Sequence, residues 1–196
     1  MNLNIPAARF AFVLLSANLT TSAAIATPTV TMQTSMGDIV LELDHEHTPA
    51  TVDNFLRYAK EGHFDGTAFY RVVPGFVIQA GSYDAMGKPR PVHDPIPLET
   101  ANAQSNLRGS IAMGRAAEPD SARAEFFINL ADTKGLDRQP DDMDNKTGYS
   151  AFGHVVAGMD VVDAISMVPI GGGIGPFGDA APVTPVIIQK VIVTSN

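Results

Sequence analysis

A chain of 196 residues with 45% hydrophobic and 17% charged residues has the make-up of a globular protein with room for one core. A net charge of −8, with no run of Lys or Arg, supplies no source for the counterion release that drives nucleic-acid binding, so no nucleic-acid partner is expected. Without cysteine the chain has no disulfide, no thiol nucleophile and no site for a lipid carried on Cys.

The first 26 residues read as a signal peptide. Arg9 supplies a positive n-region, Phe10 to Leu15 an apolar stretch, and Ala24-Ile25-Ala26 a cleavage site before Thr27-Pro28. The apolar stretch is too short to span a bilayer, so no stable membrane anchor is expected. Asn18, Thr20, Thr21 and Ser22 interrupt the face that an N-terminal core helix would need. Cleavage after Ala26 and a periplasmic or secreted location follow as expectations. Residues 27–196 then make one domain, expected to act as a monomer.

In chain order, Val30 to Thr34 alternates, Ser35-Met36-Gly37-Asp38 carries turn chemistry, and Ile39 to Leu43 alternates again, which predicts a β-hairpin. Thr48-Pro49 reads as an N-cap and first-turn pair for a helix with Val52, Phe55, Leu56 and Ala59 on one face and Gly62 as its stop. Gly81 to Pro97 is rich in Pro and Gly, hence a surface loop. Ser110 to Met113, Glu125 to Leu130 and Ala151 to Val156 have strand length, and Asp160 to Val168 fits a short second helix. The Gly171-Gly172-Gly173 stretch reads as loop, and Val186 to Val193 as the last strand. Several short strands with two helices predict a closed or nearly closed β architecture.

The most informative stretch is Phe69 to Gly81, which sets one guanidinium and one carboxamide among bulky apolar residues. Strand period two places Arg71 on the face of Phe69 and Val73, and Gln79 on that of Val77. With Pro74-Gly75-Phe76 as a three-residue hairpin loop, Arg71 lies opposite Gln79, Cβ atoms about 4.5–5.5 Å apart. A fixed cation beside an apolar patch suits a ligand apolar at one end and carbonyl-rich at the other, such as proline in a peptide. In Glu125-Phe126-Phe127-Ile128-Asn129, outward Glu125 and Asn129 leave Phe127 on the polar face, where a ligand pocket gives it a reason. Taken alone, Arg71 fits a surface strand residue in a salt bridge, and Phe76 and Phe127 fit a core.

These residues resemble the cyclophilin family of peptidyl-prolyl cis-trans isomerases, from about Thr29 to Thr194. Three blocks carry the resemblance: Phe69 to Gly81, Ser110 to Leu130 and Gly148 to Ile165. The short loop after Gly81, and Arg115, are most similar to the exported bacterial type. The resemblance implies a mainly β fold, a closed eight-stranded antiparallel barrel capped by two α-helices, with the substrate groove on its outer surface. It implies Arg71 as the catalytic cation and Gln79 as its orienting neighbour. Phe76, Val77, Phe127 and Leu136 would form the proline pocket, Met113 and Ala116 would flank the groove, and Arg115 would hold the substrate backbone. Tyr149 falls where many relatives have His. Glu125 stands where the family usually has Gln, and a carboxylate there is expected to pair with Arg71 or to repel substrate carbonyls. Gly135 replaces a Trp that contacts cyclosporin in some relatives, so cyclosporin-type cyclic peptides should bind weakly. The stretch Arg138 to Thr147 is longer than usual, as an inserted acidic loop.

No cofactor or metal is expected. His45-Glu46-His47 has no third ligand nearby and reads as a solvated turn. Asp141, Asp142, Asp144 and Asn145 lack the glycine and distal glutamate of an EF-hand loop. Ser110 follows Gly109 without a G-x-S-x-G context. The implied partners are proline-containing polypeptides. Two functions of different class remain: an isomerase that assists folding of exported proteins, and a weakly catalytic proline-peptide-binding or chaperone module on the same fold.

Overall fold

The computed structural model describes Met1 and residues 27–139, 147–173 and 175–195. Residues 2–26 of the expected signal peptide and residues 140–146 of the acidic insertion lie outside the described residues.

The predicted hairpin forms as β1 (Thr29–Thr34) and β2 (Gly37–Leu43), antiparallel, with Val30 opposite Leu41 and Met32 opposite Ile39. Alternation puts these four side chains in the core. Helix α1 (Pro49–Lys60) begins at the expected proline, and its N-cap residue is Thr48. The Thr48 hydroxyl does not cap it; it donates to the Asp44 carbonyl at 2.8 Å. The capping anion comes from a distant loop. Glu99 accepts hydrogen bonds from the backbone of Ala50 at 3.1 Å and Thr51 at 2.8 Å, where unpaired N–H groups and the helix dipole favour negative charge.

Then follow β3 (Arg71–Val73), β4 (Val77–Ala80), β5 (Ser110–Met113), β6 (Phe126–Asn129), β7 (Ala151–Ala157), α2 (Met159–Ser166) and β8 (Ile188–Ser195). The last strand starts two residues later than its pattern suggests, because Val186 meets another segment: its carbonyl accepts the Phe69 N–H at 2.9 Å. All neighbouring strands pair antiparallel, in the order β3-β4-β6-β5-β7-β2-β1-β8. The expected closed barrel is corrected to a curled half-barrel: β3 and β8, at the two ends of this order, form no ladder with each other. Residues ahead of β3 reach the first residue of β8 with a few bonds, Gly66 N–H to the Ile188 carbonyl at 2.7 Å and Ile188 N–H to the Thr67 carbonyl at 2.8 Å. Three-residue β3 is too short to carry a full seam.

The concave side holds an aromatic core. The Phe55 ring lies 5.0 Å from Phe64 and 5.3 Å from Phe152, and Phe64 meets Phe126 edge-on at 5.4 Å. Helix α1 packs against β8 and α2 against β2. Because Phe64 touches rings from both α1 and β6, Phe64→Ala should cost about 3–5 kcal/mol. Urea unfolding at neutral pH checks this value.

Candidate active site

Alternation along β4, β5 and β6 separates site from core. Ile78, Ile111, Phe126 and Ile128 point inward, and Val77, Ala112 and Phe127 point outward to form a second apolar cluster with Ala151. Phe76, Leu136 and Tyr149 pack on its margin. Above it lies a cavity of about 160 Å³, whose other lining residues are Arg71, Gln79, Gly114, Arg115 and Glu125. The outer-face position of Phe127 is as its alternation predicts. Asn129, expected to face solvent, is fully buried and donates to Asn106 at 3.2 Å and to Ser110 at 2.9 Å.

Arg71 and Gln79 are cross-strand partners in the register read from the Pro-Gly hairpin. The guanidinium Nη1 donates to Gln79 Oε1 at 2.8 Å. The expectation that Phe69 shares the face of Arg71 is corrected: the chain leaves strand geometry before Arg71, and Phe69 sits in the main core. Two rings flank the guanidinium, Phe76 at 5.8 Å and Phe177 at 5.3 Å. Phe177 also stacks on Tyr70, ring centroids 6.1 Å apart. Phe177 was not expected here, since its Gly-rich surroundings read only as loop.

Glu125 does not form an ion pair with Arg71. Its Oε1 accepts from Gln79 Nε2, and its Oε2 accepts from the Ser82 hydroxyl at 3.2 Å. A carboxylate has no proton to donate, so it admits only the amide N–H₂ of Gln79 and turns the amide oxygen toward Arg71. Gly81 makes this approach possible: with φ of 104°, a Cβ there would lie 2.3 Å from the Ala124 carbonyl oxygen. Buried Tyr70 lies beside the same group, and desolvation followed by the Glu125 charge pushes its phenol far above its ordinary value.

The opposite wall is aromatic. Tyr149 meets Phe127 edge-on at 5.6 Å, and Arg115 lies over the Tyr149 ring at 4.8 Å. Arg115 donates to the carbonyls of Gly148 at 2.9 Å, Ala116 at 3.0 Å and Ala117 at 3.3 Å, so its side chain secures its own loop and that ring. Met113 is packed in the main core and Ala116 is exposed, and neither lines the cavity. Gly114, between them, does. His45 and His47 turn to separate carboxylates, Asp53 at 3.1 Å and Asp44 at 2.8 Å. Among the described residues no group of three His, Cys, Asp or Glu could hold a metal.

Residues 29–193 match the profile of a family described as cyclophilin type peptidyl-prolyl cis-trans isomerase/CLD. The chain belongs to this family. Peptidyl-prolyl cis-trans isomerase A of Dickeya dadantii (strain 3937) is 42% identical over 161 residues, covering 82% of this chain and 82% of that one. Peptidyl-prolyl cis-trans isomerase B of Escherichia coli (strain K12) is 41% identical over 165 residues, covering 84% and 99%. The fold is similar to a crystal structure of a cyclophilin type isomerase from Cryptosporidium parvum, with a TM-score of 0.70 at 21% identity over 87% of this chain and 99% of that one. A second structure of that protein, in the presence of the dipeptide Ala-Pro, has a TM-score of 0.69.

Within this cyclophilin, Leu136 sits on a short 3-10 turn, Lys134–Leu136, and its carbonyl accepts the Tyr149 N–H at 2.9 Å. The next residue, Asp137, accepts from the Asn106 backbone at 2.7 Å, the Asn106 side chain at 3.0 Å and the Ser105 hydroxyl. Burial alone would raise its carboxyl, but these donors outweigh it and hold it below its ordinary value of 3.8. A depressed pKa means stability present above pH 3.8 that is lost as pH falls through the folded value. Asp137→Asn should therefore lower stability by about 1 kcal/mol at pH 7 and flatten its fall in acid. Denaturant titrations between neutral pH and pH 2 read both effects.

Proposed function

We propose that this protein is an exported peptidyl-prolyl cis-trans isomerase in which Arg71 stabilises the twisted X-Pro amide over an apolar proline pocket. The observation that carries the reading is the Arg71–Gln79 bond at 2.8 Å on the rim of the cavity floored by Val77 and Phe127. The amide barrier of ~18–20 kcal/mol comes from resonance, and uncatalysed X-Pro exchange takes roughly tens to hundreds of seconds. Rotation needs no bond made or broken. As the amide twists, the nitrogen lone pair localises, and a donor aimed at it binds the transition state more tightly than the planar ground state. Among the described residues Arg71 hydrogen-bonds to Gln79 through Nη1, which leaves its other N–H groups for that nitrogen. The pocket of Val77, Phe127 and Leu136 holds the ring while the acyl side turns.

Arg71→Ala should lower kcat/KM on a short X-Pro peptide by roughly 10²–10³-fold, the loss expected for one preorganised donor. Arg71→Lys should recover only part of it, since a point charge does not reproduce the planar fork. Tight peptide binding with equal, negligible acceleration by wild type and Arg71→Ala would instead favour a proline-peptide-binding or chaperone module. Glu125 beside Gln79 is the observation that supports this second reading.

Export rests on the pattern of Arg9, Phe10 to Leu15 and Ala24-Ile25-Ala26. Expression of the full chain in a Gram-negative host should give periplasmic protein beginning at Thr27. Cytoplasmic protein that retains residues 1–26 would refute it. At Gly135, open space surrounds the position a Cβ would take, so no ring walls that edge. Cyclosporin should accordingly bind no tighter than micromolar by calorimetry.

A further inference from the structure

Glu125 is the carboxylate that lines the cavity, and among the described residues no cation pairs with it. Its protein partners are neutral: the Gln79 carboxamide, the Ser82 hydroxyl and the phenol of buried Tyr70 beside them. Each carboxylate oxygen can accept more than one hydrogen bond, so these neutral donors do not exhaust a carboxylate that lines the cavity. A half-buried carboxylate met only by neutral donors is an incomplete ion site, since partial desolvation strengthens its attraction for a cation.

The side chain is held there by what Gly114 lacks. A Cβ at Gly114 would lie 2.7 Å from Glu125 Cγ and 3.1 Å from Oε1, while the Gly114 N–H donates to the Glu125 carbonyl at 2.7 Å. Glycine at 114 and glutamate at 125 thus form a matched pair. The other cation on the cavity wall beside Arg71 is Arg115, and it is occupied by Tyr149 and the carbonyls of Gly148, Ala116 and Ala117.

We infer that Glu125 is a specificity-determining residue that selects substrates with Lys or Arg immediately before the proline. The inference rests on the isomerase reading, in which the prolyl nitrogen faces Arg71 and the ring enters the apolar pocket. The acyl group on that nitrogen then continues past Gln79, which joins Arg71 to Glu125, and brings the preceding side chain beside the carboxylate. Lys reaches it with a flexible ammonium and Arg with a bidentate fork.

The test is a set of tetrapeptides differing only before the proline, with Lys, Leu or Glu there. They are assayed for isomerisation with wild type, Glu125→Gln and Gly114→Ala. Wild type should favour Lys-Pro over Leu-Pro by roughly tenfold in kcat/KM and disfavour Glu-Pro, with the ratio shrinking at high salt. Glu125→Gln should bring the Lys-to-Leu ratio close to one, and Gly114→Ala, which displaces the carboxylate, should lower it. Equal kcat/KM for Lys-Pro and Leu-Pro in wild type overturns the inference, as does a Lys preference that survives Glu125→Gln. If no peptide is accelerated, the isomerase reading fails separately. Calorimetric binding of the same peptides then decides the charge preference: tighter Lys-Pro binding lost in Glu125→Gln supports it, and equal binding sinks it.

Discussion

A β-strand cannot send adjacent side chains to the same side, and the site is a consequence of that constraint. In β6, Phe126 fills the aromatic core while Phe127, the next residue, floors the outer cavity. In β4, Ile78 points inward between Val77 and Gln79, which both line the cavity. Each inward residue is locked by the core, so its neighbours are held outward without needing contacts of their own. A surface cavity can therefore be nearly as rigid as the interior. A one-residue slip in the β4 and β6 pairing would reverse the faces and expose Phe126 and Ile78, so the core's burial energy also protects the register of the site.

Charge is laid over that frame as a chain of acceptors and donors. Arg71 donates to Gln79, and Gln79 donates to Glu125, which also accepts from Ser82. Two carboxylates show how differently the fold uses the same group. Glu99 accepts two backbone N–H groups and the Thr51 hydroxyl at 2.7 Å, so its oxygens are spent on starting α1. Glu125 meets only neutral groups, the Gln79 carboxamide, the Ser82 hydroxyl and the Tyr70 phenol, and opens on a cavity. The first stabilises a helix end; the second is poised to meet something from outside the chain.

The legible part of the molecule was the part whose partners are close in sequence. Arg71 and Gln79 are eight residues apart across a Pro-Gly turn, so turn length set their pairing before any tertiary contact entered. The hairpin of β1 and β2 and the start of α1 at Pro49 were readable for the same reason. What stayed hidden depends on long-range packing. Phe177 reaches Arg71 from more than a hundred residues away, and Glu99 caps a helix about fifty residues earlier. The half-barrel was missed because closure depends on whether the first and last strands of the sheet meet, which no local pattern records. Period two holds only within a strand, and because the strand begins at Arg71, alternation does not extend back to Phe69.

The division of labour between the two walls also follows from sequence distance. The Arg71–Gln79–Glu125 wall is carried by edge strand β3, by β4 and by the residue that leads into β6, and β4 and β6 each have hydrogen-bonded neighbours on both sides. The Leu136–Tyr149 wall joins two chain segments outside any strand, tied by the Tyr149 to Leu136 backbone bond and by Asp137. Electrostatic stabilisation of a twisted amide demands donors fixed to within a fraction of an ångström, whereas an apolar ring needs only a surface of suitable shape. The apolar floor of Val77 and Phe127 and the amide that orients Arg71 are thus set by the sheet, and only the closing edge of Leu136 and Tyr149 depends on loops.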